Sequence, residues 1–357
     1  MLYNTKKIKD LATVVAPPYD VISKKQQDSL YRANPYNIVR LELGKIKPSD
    51  DQTDNRYTRA KSFFDSWITD GTMVRDDKES LYIYSQQYKQ NGKTIERIGF
   101  MGLMGIESKD GNKVLPHENT LLAPKVDRLD LMRSVRANLS PIYVLYDDTG
   151  DKVAKILKDA CRRTKPFMDI YFEGIRSRTW RLDDPKAIEK IGSLISNKDI
   201  FIADGHHRYE VARMYSEELA RKGVPDAVKD TSRSLMVYFV ASDEKMLTVL
   251  PAHRLPRDIG RLTKDEIIKR LEPYFHIREV AGLKAMMAAI ARLKDKHAFG
   301  MYLGGGKFIV LVLKDVRASD NVIKDKGADP DRENEEDGFS FLHRDHDRTF
   351  TISPIVF

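Results

Sequence analysis

At 357 residues the chain is long enough for two or three domains and a substantial core. Hydrophobic residues make up 41% and charged residues 32%, the balance of a soluble globular protein, and no apolar run approaches the roughly 20 residues that a membrane-spanning helix needs. No apolar stretch follows the lysines of positions 1–9, so a secretory signal is not expected. The single cysteine, Cys161, excludes an internal disulfide and fits a reducing cytoplasm. The net charge of +8 is not gathered into a block, which argues against nucleic acid and suits an anionic small molecule.

In chain order, the first feature is Ala16-Pro17-Pro18-Tyr19-Asp20. Two prolines after an apolar run hold the backbone extended and present Tyr19 and Asp20 on a stiff loop, although a rigid turn with an Asp cap explains the same residues. Ser23 is the expected N-cap of a helix through Leu30 that ends at Asn34-Pro35. The stretch 38–41 reads as a strand. Helical spacing from Tyr57 to Ile68 predicts a helix closed by Gly71. Strand alternation over 81–88 and 95–106 around Gln90-Asn91-Gly92 predicts a hairpin, and Asp110-Gly111 a further turn.

Positions 117–128 form a polar cluster: His117, Glu118, Thr120, Lys125, Asp127 and Arg128. The His-Glu pair lacks the second histidine of a zinc-protease helix, since position 121 is Leu. The cluster also reads as a charged loop whose groups pair with one another ahead of a helix over 131–137. Strands are expected at 142–146, 167–172 and 178–182, with a helix over 151–161 between the first two. Asp184-Pro185 is an N-cap followed by a first-turn proline. Further strands are expected over 234–240 and 247–254, then helices over 264–271 and 283–293, then strands over 297–303 and 308–313. Gly304-Gly305-Gly306-Lys307 joins two strands and lacks phosphate-loop spacing, so a hairpin turn is the expectation. Residues 318–337 are charged and nearly free of aromatics, a disordered composition.

The stretch 201–210 is the most chemical in the chain. A short apolar run leads through Asp204-Gly205 into His206-His207-Arg208 and then a helix. A helix N-terminus there offers unpaired backbone N–H groups and the positive end of a dipole to an anion, and Gly205 allows positive φ or close approach of a ligand. Neighbouring helix positions point in different directions, so His206 and His207 are not expected to face one ligand, and the pair alone does not make a zinc site.

Five motifs, in order, resemble those of a large family of bacterial and archaeal proteins, the domain of unknown function 1015. They are Ala16-Pro17-Pro18-Tyr19-Asp20-Val21-Ile22, Asn34-Pro35, Leu115-Pro116-His117-Glu118, Lys125-Val126-Asp127-Arg128 and Ala203-Asp204-Gly205-His206-His207-Arg208-Tyr209. The last is similar to the glycine-centred basic motif of the ParB/sulfiredoxin superfamily, which includes nucleotide-binding partition proteins, sulfiredoxin and free-serine kinases. The resemblance implies a mixed α/β (α+β) fold. Site loops would come from residues 1–140, a ParB/sulfiredoxin-like nucleotide-binding core would span 141–230, a smaller α+β domain 231–316, and a charged tail 317–357. The family continues beyond the last hairpin into a helix and a Lys/Ser/Thr-rich loop that this chain lacks. Without a basic helix-turn-helix, the partition role does not carry over.

The function implied is a nucleotide-dependent phosphotransferase using ATP or ADP with Mg2+ and a small hydroxyl-bearing metabolite. Gly205, His206, His207 and Arg208 would hold the phosphates, with Lys125, Arg128 and Tyr19 beside them. Asp20 or Glu118 would be the general base or a magnesium ligand, His117 a further catalytic group, and Asp204 would hold His206 or a metal-bound water. A non-catalytic nucleotide or phospho-metabolite sensor and a phosphatase are the alternatives. No membrane or nucleic-acid partner is expected, and no oligomeric state follows from the sequence.

Overall fold

Residues 1–90, 92–107, 113–116, 122–242, 255, 262–293 and 295–317 are described by a computed structural model. They fall into two units divided between Leu250 and Pro251. The predicted turn at 110–111, His117, Glu118, the strand over 247–254 and the tail from 318 onward lie outside the described residues.

In the first unit, β1 (Leu2–Tyr3) pairs with β2 (Met73–Val74) around an N-terminal group of helices. α1 (Lys24–Ala33) begins where the Ser23 hydroxyl accepts the Gln26 N–H. α2 (Val39–Glu42) occupies the stretch predicted as a strand. Ile38 and Val39 favour a strand, but the Asn37 side chain accepts the Val39 N–H at 3.0 Å and the helical turn takes Val39 and Leu41 out of solvent completely. Burial overrides propensity there. α3 (Arg56–Thr69) starts on a reciprocal capping box between Asn55 and Thr58, and Gly71 follows it at φ 72°.

β3 (Leu81–Gln90) and β4 (Lys93–Gly105) form the predicted hairpin, with Gln90 opposite Lys93. β5 (Val114–Leu115) precedes α4 (Leu122–Val135), which begins nine residues before the predicted helix at 131. Lys125, Asp127 and Arg128 are therefore helical and not in a preceding loop. Pro124 is the third helical residue, where no intrahelical N–H bond is lost, so it does not break the helix. β6 (Ile142–Tyr146), α5 (Lys152–Arg163), β7 (Met168–Phe172) and β8 (Ile175–Leu182) follow, then α6 (Pro185–Ile195), whose N-cap Asp184 accepts the Lys186 N–H at 3.1 Å. β9 (Ile200–Asp204), α7 (His206–Arg221), α8 (Asp226–Ser232) and β10 (Ser234–Ala241) complete the unit. No helix among the described residues is long and apolar enough to cross a membrane.

These strands form a mixed sheet in the order β5-β9-β6-β10-β4-β3-β8-β7. β6 runs parallel to β10 and β5 parallel to β9; the other neighbours are antiparallel. The expected divisions at 140/141 and 230/231 both cut this sheet, because β10 lies between β4 and β6, and β3 pairs with β8. One face carries Ile83, Phe100, Val144, Ile202, Val237 and Phe239, packed against Leu157 of α5, Ile191 of α6 and Ala212 of α7. The other face is buried as well, with Tyr84, Tyr143, Leu145, Tyr238 and Val240 together. At its β7 edge, Ile170 packs against Val15 of the N-terminal segment.

In the second unit, α9 (Lys264–Leu271) begins on a Thr263/Glu266 capping box. β11 (Phe275–Val280), α10 (Leu283–Arg292), β12 (Ala298–Tyr302) and β13 (Phe308–Leu313) make an antiparallel sheet in the order β11-β13-β12, with Met286 and Ala289 of α10 on Val310. β11 has no counterpart in the sequence reading: His276 and Arg278 interrupt its apolar residues and left too weak an alternation to see. Gly304, Gly305 and Gly306 all have positive φ in the β12–β13 turn, as a hairpin requires.

Candidate functional site

The strand-to-helix corner is built around Gly205. Its φ of 94° is in the left-handed region, and a Cβ there would lie 3.0 Å from both the Arg208 Nε and the Ile142 Cγ2. Only glycine gives the chain this turn with a guanidinium laid against it. Arg208, one turn into α7, folds back over the corner. It donates to the Asp204 carboxylate and to the carbonyl of Pro141, just ahead of β6. The two histidines differ: His206 is 5% exposed, His207 half-buried.

α4 packs along α7 and brings its charges to the same place. Lys125 pairs with Glu210 at 3.0 Å. One turn on, Arg128 is 6% exposed and makes a tight fan of contacts. Its Nε and Nη2 donate to Asp127 Oδ2 at 2.8 and 2.5 Å, and its Nη1 donates to the Glu42 carbonyl at 2.8 Å, with the Glu42 carboxylate 3.6 Å away. Glu42 also accepts the Ser140 hydroxyl at 2.6 Å. The other Asp127 oxygen accepts Tyr57 Oη at 2.7 Å and Arg56.

The Pro-Pro loop supplies the third wall. Asn37, fully buried, donates to the carbonyls of Thr13 at 2.8 Å and Val15 at 2.9 Å, pinning the segment that leads into Pro17-Pro18. The Tyr19 ring then lies under the Arg128 guanidinium, 4.0 Å from Cζ to ring centroid. Burial raises the Tyr19 pKa; Arg128 and Arg208 act against that, while Asp20 and Glu42 add to it. The phenol is therefore neutral at pH 7, and its electrostatic neighbours come from the Pro-Pro loop, α2, α4 and α7. Asp20 itself is exposed.

Tyr19, Arg128, Asp204, Gly205 and Arg208 are thus neighbours, while Lys125 pairs with Glu210 further along α7 and does not line the cavity. Glu42, Arg128, Ser140 and Arg208 line one cavity of about 40 Å³, floored by Leu131, Ile142, Val211 and Leu235. Sequence reasoning missed Asn37, Glu42 and Ser140. Glu42 had one visible signal, a carboxylate inside the apolar run 38–43. The cations Arg56, Lys125, Arg128 and Arg208 are matched by Asp127, Glu210, Glu42 and Asp204, so the site is close to charge-balanced. Among the described residues no group of three or more His, Cys, Asp or Glu is placed to hold a metal ion.

A family model described as a protein of unknown function, DUF1015, matches residues 1–332. The chain belongs to this family. No curated protein and no solved structure matches it significantly. The DUF1015 match takes in all the described elements of both units, including every segment that meets at Arg128 and Arg208.

Within this candidate site Asp127 is a pH-dependent support. Burial acts against its ionisation, but Arg128, the Tyr57 hydroxyl and Arg56 outweigh it and hold the carboxyl below its usual range. A carboxyl depressed on folding adds stability above its unfolded value, about 3.9, and that contribution is lost as pH falls through the lower folded value. Urea midpoints of wild type and Asp127→Asn should differ most near pH 7, and the gap should close below about pH 4. A gap that stays constant from pH 7 to pH 3 would refute the assignment.

Proposed function

We propose that this DUF1015 chain is a nucleotide-dependent phosphotransferase with a ParB/sulfiredoxin-like core, acting on a small hydroxyl-bearing metabolite. The observation that carries the reading is the meeting of Tyr19, Arg128 and Arg208, from three distant segments, at the N-terminus of a 16-residue helix. Phosphoryl transfer asks mainly for positioning and charge neutralisation, which guanidinium groups and helix N–H groups provide.

The cavity of about 40 Å³ exceeds the roughly 10–15 Å³ that one water needs, so it suits a group the size of the terminal phosphate and leaves the nucleoside outside it. Arg208 exchanges Asp204 and the Pro141 carbonyl for phosphate oxygens. Because the site is near neutral, Mg2+ carried by the nucleotide would offset part of its charge. Asp20, exposed beside Tyr19, or Glu118 takes the acceptor hydroxyl proton as the phosphoryl group moves to that oxygen and the nucleotide leaves one phosphate shorter, ADP from ATP or AMP from ADP; magnesium ligation is the alternative role for these two carboxylates. His117 is kept as a further catalytic candidate, and His207 is the more accessible imidazole for phosphate.

Thermal melting of the full chain tests the reading. Mg-ATP or Mg-ADP at 100 times its Kd should add about 2.7 kcal/mol of stability. No shift with either nucleotide would remove the proposal. The prior pairing of every cation favours a second reading, a nucleotide or phospho-metabolite sensor without turnover. Consumption of ATP on adding hydroxyl-bearing acceptors separates the two, and release of inorganic phosphate from a phosphorylated acceptor without nucleotide marks a phosphatase instead. Duplex DNA or RNA binding with a steep salt dependence is not expected.

A further inference from the structure

Arg97, at the middle of β4, is 3% exposed on the second face of the large sheet. Its guanidinium meets no described carboxylate. Nη2 donates to Gln86 Oε1 at 2.6 Å and Nη1 to Tyr143 Oη at 3.3 Å, with the Tyr143 ring centroid 5.2 Å from Cζ. Arg97 Nε and Gln86 Nε2 are buried donors with no hydrogen-bond partner among the described residues. A guanidinium stays charged in any protein interior. Burying that charge without a counter-ion is costly, as is leaving a buried N–H unmade. This cluster therefore lacks one thing, an acceptor carrying negative charge.

We propose that Arg97, Gln86 and Tyr143 form a second binding site, for the carboxylate of a small organic acid. Several features choose that class. The site offers one guanidinium and neutral donors, which balance a single negative charge; a phosphate dianion would keep half its charge uncompensated. A planar carboxylate accepts from the guanidinium fork and the Gln86 amide together. The surroundings are aromatic: Tyr143 stacks with Tyr238 at 5.4 Å between centroids, and Tyr84 meets Tyr238 edge-on at 5.3 Å. Rings packed this way keep an ion pair at Arg97 in a low dielectric. Gly99, opposite Tyr84, helps because its missing side chain lets the Tyr238 ring lie across the strand. This inference does not rest on the phosphotransferase reading, since Arg97 is separate from the Arg128–Arg208 cavity lining.

The test is a melting and titration series on the full chain with acetate, glycolate, lactate and inorganic phosphate at constant ionic strength. Wild type should be stabilised by at least one carboxylate. Arg97→Met should fold with an unchanged or higher melting temperature in ligand-free buffer, because it removes a buried uncompensated charge, and should lose the carboxylate shift. Gln86→Leu, which keeps the charge and one methylene-rich shape, should bind the same acid at least tenfold more weakly and serves if Arg97→Met does not fold. Absence of any carboxylate shift in wild type, or an equal shift in Arg97→Met or Gln86→Leu, would overturn the proposal. An Arg97-dependent shift larger with phosphate than with every carboxylate would overturn the choice of ligand.

Discussion

Arg208→Ala should weaken Mg-nucleotide binding at least 100-fold, about 2.7 kcal/mol, while costing only about 1 kcal/mol of ligand-free stability. The asymmetry follows from where the side chain sits. Its partner Asp204 is substantially exposed, with 42% of its side-chain surface open, so their ion pair contributes little to the fold. On the proposed reading the phosphate would sit at the Gly205 corner that Arg208 covers, where a planar fork contributes more than the exposed pair does to the fold. Arg208→Lys keeps the charge without the fork and should recover only part of the affinity. Arg128 makes the contrast: it is buried among Asp127, Glu42 and Tyr19, so Arg128→Met should lose stability of roughly 3 kcal/mol along with the ligand. Calorimetric titration with urea unfolding separates the two. An Arg208→Ala protein that binds nucleotide like wild type would show that the corner is structural.

Gly99→Ala should cost about 3 kcal/mol or more, near 10 °C in melting temperature for a unit of this size. A Cβ at that position would lie 2.2 Å from the Phe239 carbonyl oxygen and 2.8 Å from both Tyr238 Cε2 and Val240 Cγ2. The first of these is backbone in the neighbouring strand, registered opposite by β4–β10 pairing, and cannot swing aside. Relief requires prising β4 from β10 at the centre of the sheet. Gly105→Ala, at the open end of the same strand, meets nothing and should be neutral within about 0.5 kcal/mol. Equal melting temperatures for the two variants would mean that the centre of the sheet is looser than this packing.

What could be read from the sequence was what depends on neighbours in the chain. The β9–Gly205–α7 corner, the β3–β4 hairpin, the Asp184-Pro185 cap and the glycine turn before β13 each have their cause within a few residues. α2 and the start of α4 were misjudged because their determinants lie elsewhere: Asn37 is locked by the Thr13 and Val15 carbonyls, and Pro124 is harmless only because the helix starts just before it. Asn37 and Ser140 carry no local mark of their roles, which come from contacts to the Pro-Pro loop and to Glu42. Arg97 looks like an ordinary outward strand residue until both faces of the sheet prove to be buried. The motif positions of the family were visible, as was charge pairing within 117–128; the distant partners Arg56, Glu210 and Glu42 were not.

The most direct test of a single site shared by Tyr19, Arg128 and Arg208 is isothermal titration of Mg-ATP and Mg-ADP into wild type, Tyr19→Leu and Arg208→Ala. One site predicts a common nucleotide whose Kd rises in both variants, with Tyr19→Leu losing affinity although it touches neither α7 nor its N-terminus in sequence. Unchanged nucleotide affinity in Tyr19→Leu beside lost affinity in Arg208→Ala would contradict it.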